Sequence, residues 1–349
     1  MRKFLVVGFN TRYIVCSGAR AGYEMHAADD FDDVDLCRCA ESIVPLENWR
    51  ERLKSLHPDA VVLASGFERV RVRGVKVLNN SHTTMKKVTN KVWLAEKLDS
   101  LGIPHPEVYD SRIKYPAIAK PVFGAGGYRN FLVESKKDLV SPNFRKDFFI
   151  QQFIRGRVAS VSLISTREEV KSVAVNESLS GRRELGQQTR FGYCGNITPF
   201  VTKHSKKMCE IAERIIRDLH LIGSNGIDFI LAKEGIYVID VNPRFQGSLD
   251  TVEAATGINL FDAHVNAFDG ILIEAKTPKK FAARLIVFAE REVSVKKNLD
   301  KNGIADVPRV GKAIKKGDPI ATAIGAGKYR KDALASAREK VEHIKRGLI

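Results

Sequence analysis

No apolar run in this 349-residue chain approaches the ~18 residues needed to cross a bilayer, which excludes a helical membrane protein and a membrane partner. Cysteine is scarce: five are scattered along the chain, and Cys37-x-Cys39 has the wrong spacing for a zinc knuckle, with no second Cys or His pair nearby. Structural thiols in a reducing cytoplasm are the expectation, since Arg2-Lys3 leads straight into a strand-like Phe4-Leu5-Val6-Val7 and not into a targeting segment. The dinucleotide fingerprint is missing, because Gly8 is followed by Phe9-Asn10-Thr11 where further glycines are required. A Walker loop is missing too: Gly327-Lys328 is followed by Tyr329, and position 322 is threonine. There is no internal repeat and no low-complexity linker.

What is present is ordinary globular usage, 44% hydrophobic and 28% charged, in a chain long enough for two to three domains at a typical ~150 residues each. The formal charge of +16 is uneven. From residue 275 onward there are nineteen Lys and Arg against eight Asp and Glu, so +11 of the excess lies in the last fifth. Phe281, Phe288 and Tyr329 are too few aromatics for a base-stacking platform in that tail, and nucleic acid is not expected as a partner. Asp29, Asp30, Asp32, Asp33 and Asp35 form an acidic run that reads as a solvated loop.

The first eighty residues read as an open parallel α/β unit: strand 3–8, helix 11–21, strand 23–28, helix 49–56 and strand 60–64. A helix over 83–101 follows, closed by Gly102 with Pro104 beyond it. Further on come strands at 148–154 and 158–165, a helix at 203–219, paired strands at 226–232 and 236–241, and a last helix at 331–346.

The sharpest chemistry lies in the paired strands. A three-residue connection, Lys233-Glu234-Gly235 with a left-handed Gly235, sets Ala232 opposite Ile236 and therefore Asp228 opposite Asp240. Asn242 projects from the face of Asp240, while Ile227, Phe229, Ile239 and Val241 are expected on the buried face. Carboxylates placed across a strand pair repel unless a positive charge lies between them, and two Asp with one Asn offer the oxygen ligands Mg²⁺ prefers. Upstream, a strand carries Lys120 into Phe123-Gly124-Ala125-Gly126-Gly127, a loop able to bring backbone N–H groups near a polyphosphate. Arg182, Arg183 and Arg190, among glycines in a loop over 176–199, are candidate substrate-holding arginines.

Taken in order, Asn90-Lys91, Tyr-Pro-Ala-Ile-Ala-Lys120, the glycine loop, Ile150-Gln151-Gln152-Phe153-Ile154-Arg155-Gly156, Asp228 and Asp240-Val241-Asn242-Pro243-Arg244 resemble the ATP-grasp superfamily of ligases, over about residues 80–275. The resemblance implies a mixed α/β and α+β fold: an N-terminal open parallel α/β domain over 1–80, a two-lobed grasp over 81–275 with its lid near 112–155, and a small basic β-rich C-terminal lobe over 276–349. It further implies ATP and Mg²⁺ as cofactors, with Mn²⁺ able to substitute. By the same match Lys91 and Lys120 hold the phosphates, Gly124, Gly126 and Gly127 form the lid, and the backbone of Gln151, Gln152, Phe153 and Ile154 pairs with adenine. Asp228, Asp240 and Asn242 match the metal ligands, and Arg244, with Lys120, the catalytic cations.

Two departures stand out: relatives often carry Glu where this chain has Gln151, Gln152 and Val158, which weakens a side-chain grip on the ribose, and Glu where it has Asp228 and Asp240. The implied reaction activates a carboxylate as an acyl phosphate and joins it to an amine with release of ADP, as in amino-acid or coenzyme biosynthesis. The chain looks similar to uncharacterised archaeal and methylotroph members and to amino-acid ligases. Its implied partners are small carboxylate and amine substrates, and a homodimer is compatible with the resemblance. One alternative is a biotin-carboxylase type of carboxylase, but such enzymes continue the arginine motif with Gln-Val-Glu-His, where this chain has Phe245-Gln246-Gly247-Ser248. A second is an ATP-binding protein whose basic C-terminal lobe engages nucleic acid or a protein.

Overall fold

The apolar run Lys3–Val7 lies inside a four-stranded parallel sheet whose order is Ser42–Val44, Glu24–Ala28, Lys3–Val7, Ala60–Leu63. In this computed structural model, which describes residues 1–140, 147–274 and 276–348, both faces of that sheet are covered. Phe4 and Val6 pack with Tyr13 and Ile14 of the helix Arg12–Arg20, while Leu5 and Val7 pack with Trp49 and Leu56 of the helix Trp49–Leu56. Burial on both faces is what an unbroken apolar strand requires.

The acidic run corrects the expectation of a solvated loop. Asp29 is buried and accepts from the N–H and Oγ1 of Thr11, at 2.7 and 2.8 Å. Asp35 lies in the helix Val34–Cys39 and accepts from the backbone of Asp306 and Val307, and Asp32 pairs with Arg309 at 2.6 Å. The run is thus a docking surface for the C-terminal region. Asp33 is buried there, and its carboxyl is pushed up to about 8, first by burial and then by Asp306, Asp35 and Asp29. Cys16 and Cys39 are joined as a disulfide that ties Arg12–Arg20 to Val34–Cys39, so the structural role holds for Cys39 but not as a free thiol; Cys37 is free and exposed.

The helix expected over 83–101 is two helices, His82–Val88 and Lys91–Ser100. Asn90 causes the break, because its side chain accepts from the N–H groups of Val92 and Trp93 and so caps a new helix. Most of the range 112–155, expected to form a lid, belongs to a small antiparallel sheet in the order Val108–Tyr109, Phe148–Gln152, Ala117–Pro121, Phe131–Val133; residues 141–146 of that range lie outside the described residues. The remaining core is an eight-stranded sheet in the order Ile236–Asn242, Gly223–Leu231, Arg157–Ser165, Val170–Ser180, Tyr193–Thr198, Phe281–Phe288, Pro319–Gly327, Ile304–Ala305. The end of Val170–Ser180 and all of Tyr193–Thr198 fall inside the span read as the loop 176–199, which is therefore only partly a loop. The sheet also runs unbroken past the expected boundary at 275/276, where residue 275 lies outside the described residues: Tyr193–Thr198 pairs directly with Phe281–Phe288. The final helix Arg330–Arg346 closes over this half through Ala333, Ala337, Val341 and Ile344. Gly325 permits the contact, since a Cβ there would stand 2.3 Å from the backbone at Ala333 and Ala337.

All three segments meet at one buried ionic cluster. Arg12 donates to both oxygens of Asp250, at 2.9 and 2.6 Å, and to Asp306 at 3.0 Å. Arg284 donates to Asp306 at 3.2 Å and lies 3.7 Å from Asp250. Burial alone would raise the carboxyls of Asp306 and Asp250, but the two guanidiniums hold both below the ordinary carboxylate range.

Arg12→Ala leaves two buried carboxylates with half their counter-charge and is expected to cost about 3–5 kcal/mol, read as a lowered midpoint in urea or thermal unfolding. Asp33 behaves oppositely. Its folded value lies above its unfolded one, so its contribution is complete at acid pH and is lost as pH rises toward 8. Asp33→Asn should accordingly raise the unfolding midpoint at pH 8, with the gain shrinking to nothing near pH 4.

Candidate active site

Asp228 and Asp240 face each other across the hairpin, in the register Gly226↔Asn242, Ile227↔Val241, Asp228↔Asp240. The route to that register differs from the sequence expectation. Leu231, and not Ala232, pairs with Ile236, and a bulge after Asp228 supplies the residue that restores the count. Gly235 is not among the residues with positive φ, and Ile239, at the bulge, turns to line the cavity instead of joining the buried face. Asn242 donates from Nδ2 to Asp228 at 3.0 Å, which leaves its carbonyl oxygen available. Burial first, and then the facing Asp240, push the Asp228 carboxyl up to about 7. Two carboxylates and one amide oxygen are a hard donor set that fits Mg²⁺. Among the described residues no group of three His, Cys, Asp or Glu could hold a metal, so an ion here would complete its shell with water or phosphate oxygens.

Two lysines stand beside the acids. Lys91 opens the helix Lys91–Ser100, with its Nζ 3.4 Å from Asp240 and 2.7 Å from the carbonyl of Gly124, to which it donates. Lys120 is the penultimate residue of the strand Ala117–Pro121 and is buried; desolvation lowers its amine to about 8 although Asp240 and Asp228 oppose the shift. Gln151 accepts from Lys120 Nζ at 2.9 Å and donates to the Pro106 carbonyl at 3.0 Å. It therefore orients the lysine and is absent from the cavity lining, which corrects its place in the adenine set. Gln152, Phe153 and Ile154 do line the cavity, the last two beyond the final rung of their strand. Gly124, Gly126 and Gly127 all have positive φ, and the loop is seated: the N–H of Tyr193 donates to Gly126 at 2.9 Å, and a Cβ on Gly127 would stand 1.9 Å from the Phe191 carbonyl.

These groups surround one cavity of about 800 Å³, which also receives Arg244 and Arg190. Arg244 is buried, with Nε on Glu68 and Nη1 on the Phe245 carbonyl at 2.9 Å; burial opposes its charge, and Glu68, Tyr13 and Asp240 together more than offset that. Arg190 stacks its guanidinium 5.3 Å from the Phe153 ring and 5.7 Å from the Phe191 ring. Arg182 and Arg183 are exposed outside the cavity, which removes them from the substrate set.

Several lining residues escaped the sequence reading. Ser160, Ser178 and Asn196 rise from the sheet floor, and Tyr13 and Ser65 come from the N-terminal domain. The floor had a usable signal, since Ser160-x-Ser162, Asn176-x-Ser178 and Asn196-x-Thr198 repeat polar residues at alternate positions of otherwise apolar strands. Their register aligns Asp240, Asp228, Ser160 and Asn176 in one row across four strands. Tyr13 and Ser65 carried no local signal.

Residues 88–248 match the ATP-grasp domain family. The uncharacterized protein MJ0776 of Methanocaldococcus jannaschii is 27% identical over 99% of this chain and 93% of its own length. The carbamoyl phosphate synthase large chain of Pyrococcus furiosus is 25% identical over 57% of this chain, which spans about a fifth (20%) of that relative. Among solved structures, the biotin carboxylase domain of Hydrogenobacter thermophilus 2-oxoglutarate carboxylase, in complex with MgADP and bicarbonate, superposes with a TM-score of 0.79 at 13% identity over 98% of this chain and 90% of that one. Phosphoribosylamine–glycine ligase of Thermotoga maritima gives 0.78 at 16% identity, over 97% and 96%. Both share the fold of this chain, and its residues 88–248 are an ATP-grasp domain.

Proposed function

We propose that the protein is an ATP- and Mg²⁺-dependent ligase that activates a small carboxylate as an acyl phosphate and joins it to an amine with release of ADP and phosphate. The observation that carries this reading is the convergence of Asp228, Asp240, Lys91, Lys120, Arg244 and the glycine loop on one cavity. Mg²⁺ held by the oxygens of Asp228, Asp240 and Asn242 would spread the charge that develops on the transferring phosphate. Lys91 and Lys120 bind phosphate oxygens, with Lys120 oriented by Gln151. The glycine loop closes over the phosphates and excludes water, and the apolar end at Ile118, Phe153, Val158 and Ile230 accepts adenine. Arg244 faces the reacting carboxylate and stabilises the oxyanion formed when the amine attacks and phosphate leaves. Positioning and charge stabilisation suffice for this chemistry, and no nucleophilic side chain is required.

The carboxylase reading draws support from the fold, but Ser248 stands where a bicarbonate-handling glutamate would be expected, and its hydroxyl is spent on Ser162 at 3.1 Å. Amide ligation is therefore preferred.

ADP release measured across a panel of carboxylates and amines, with bicarbonate and biotin included, separates the two. Turnover that needs a carboxylate and an amine together supports the ligase; turnover on bicarbonate and biotin alone overturns it. In the same assay Asp240→Asn and Lys120→Ala are each expected to lower kcat by about 10²–10³-fold. Chelation by EDTA should abolish turnover, and either Mg²⁺ or Mn²⁺ should restore it.

A further inference from the structure

Tyr13 brings the N-terminal domain into the reaction cavity. It is the second residue of the helix Arg12–Arg20, is 5% exposed, and lines the cavity although the grasp motifs lie more than seventy residues away in sequence. Its ring belongs to the apolar cluster of Phe4, Ile14 and Phe245, and the Arg284 guanidinium stands 5.9 Å from the ring centre. Its hydroxyl has no hydrogen-bond partner among the described residues. The residue lines the open cavity, so its hydroxyl is a donor left to water or to a ligand.

The neighbours of Tyr13 fix it in place. Thr11 is held through N–H and Oγ1 by Asp29, and Arg12 is clamped by Asp250 and Asp306. Arg244, whose charge acts on the phenol, is likewise fixed: Nε goes to Glu68 and Nη1 to Phe245, while Nη2 has no acceptor among the described residues. Glu68 accepts from Arg244 on one oxygen and from the Gly66 N–H at 2.9 Å on the other, and neither oxygen is bonded to the phenol. Two immobilised donors, one cationic and one neutral, thus remain open in the same lined space. Burial raises the Tyr13 phenol above its ordinary value even against Arg244 and Arg284, so it stays a proton donor through the neutral range.

We propose that the Tyr13 hydroxyl and Arg244 Nη2 together hold the carboxylate that is activated, so that the N-terminal domain contributes a substrate-binding donor to the grasp. The inference rests on the ligase reading and adds the contact that orients the attacking group. One carboxylate oxygen forms the new bond to the γ-phosphorus as the bond from that phosphorus to the ADP oxygen breaks. The second oxygen stays on Tyr13 and Arg244, and Tyr13 keeps its proton throughout.

Phosphonoacetate, which joins a carboxylate to a phosphonate through one methylene, probes this arrangement by presenting a carboxyl oxygen and a phosphonate with the connectivity that the activated carboxylate and its phosphate have. It is titrated calorimetrically into the full-length protein saturated with MgADP, beside Tyr13→Phe and Asp240→Asn. The expected result is that Tyr13→Phe binds phosphonoacetate about tenfold more weakly, with MgADP affinity, inorganic phosphate affinity and unfolding midpoint unchanged. Equal phosphonoacetate affinity in both proteins overturns the proposal, as does no binding to the wild-type complex. A parallel loss of MgADP affinity and unfolding midpoint also overturns it, since that marks a merely structural tyrosine. Asp240→Asn keeps the two failures apart: unchanged MgADP affinity there defeats the ligase reading, whereas a silent Tyr13→Phe beside a weakened Asp240→Asn defeats the Tyr13 assignment alone.

Discussion

Arg12, Arg284, Asp250 and Asp306 are charged groups removed from water together, and each comes to the cluster from a different stretch of chain. Desolvating four charges is costly, and the attraction repays it when every oxygen and N–H finds a partner. Here most do: Asp306 also accepts from Thr322 at 2.5 Å, and Arg284 donates to the Gly247 carbonyl at 2.6 Å. That last bond matters for the cavity. Gly247 and Ser248 line it three and four residues after Arg244, and Asp250 lies in the first turn of the helix that begins at Leu249. The cluster therefore fixes the segment that carries Arg244 as well as the helix that carries Tyr13.

The basic tail gains a different meaning from the same contacts. Its excess charge first suggests an anionic partner, yet a share of that charge is answered within the molecule. Arg309 meets Asp32, Lys312 reaches the Phe31 carbonyl, Arg330 pairs with Glu177 at 2.7 Å, and Arg38 in turn pairs with Asp300. The acidic run and the tail are thus complementary surfaces of one chain. Exposed pairs of this kind contribute little individually, often under ~1 kcal/mol, so they orient the two parts while the buried cluster holds them. Asp33 marks the cost of that arrangement, because four carboxylates crowd one seam and, among the described residues, Asp33 has neither the arginine that Asp35 and Asp306 have nor the Thr11 donors that Asp29 has.

Local chemistry made much of the fold and the strands that carry Asp228 and Asp240 legible. Alternating and continuous apolar runs placed the parallel sheet, and the final helix was predicted within a residue of Arg330–Arg346. The facing of Asp228 and Asp240 emerged from the hairpin count, although the loop is one residue longer than expected and the bulge at Ile239 cancels the difference. Such compensation is intelligible: a one-residue slip would turn every acid to the wrong face, so the register is held more strictly than the loop. The acidic run misled because a cluster of Asp is usually solvated, and its partners lie some 270 residues away, as in the Asp35 contacts with Asp306 and Val307. Arg182 and Arg183 misled for a related reason, since residue type and neighbouring glycines do not specify which side of a strand connection faces the cavity.

Tyr13 illustrates the boundary of what local pattern can carry. At helical spacing beside Ile14 and Val15 it reads as one more core aromatic, and its ring is indeed packed in the core. What distinguishes it is the unpaired hydroxyl, visible only once three segments of chain are brought together. The sheet floor shows the same logic in the opposite sense. Its polar rows are almost fully satisfied among themselves: Asn176 donates to Ser160 and Ser162, Thr198 donates to Asn176, and Tyr193 donates to Asn196. A satisfied floor is rigid and offers little to bind a new ligand strongly. Donors left open above such a floor are therefore the ones able to discriminate, and in this cavity Tyr13 and Arg244 are two of them. On the assignment proposed above, substrate choice depends on the seam between the N-terminal domain and the grasp, a seam that the buried ionic cluster holds together.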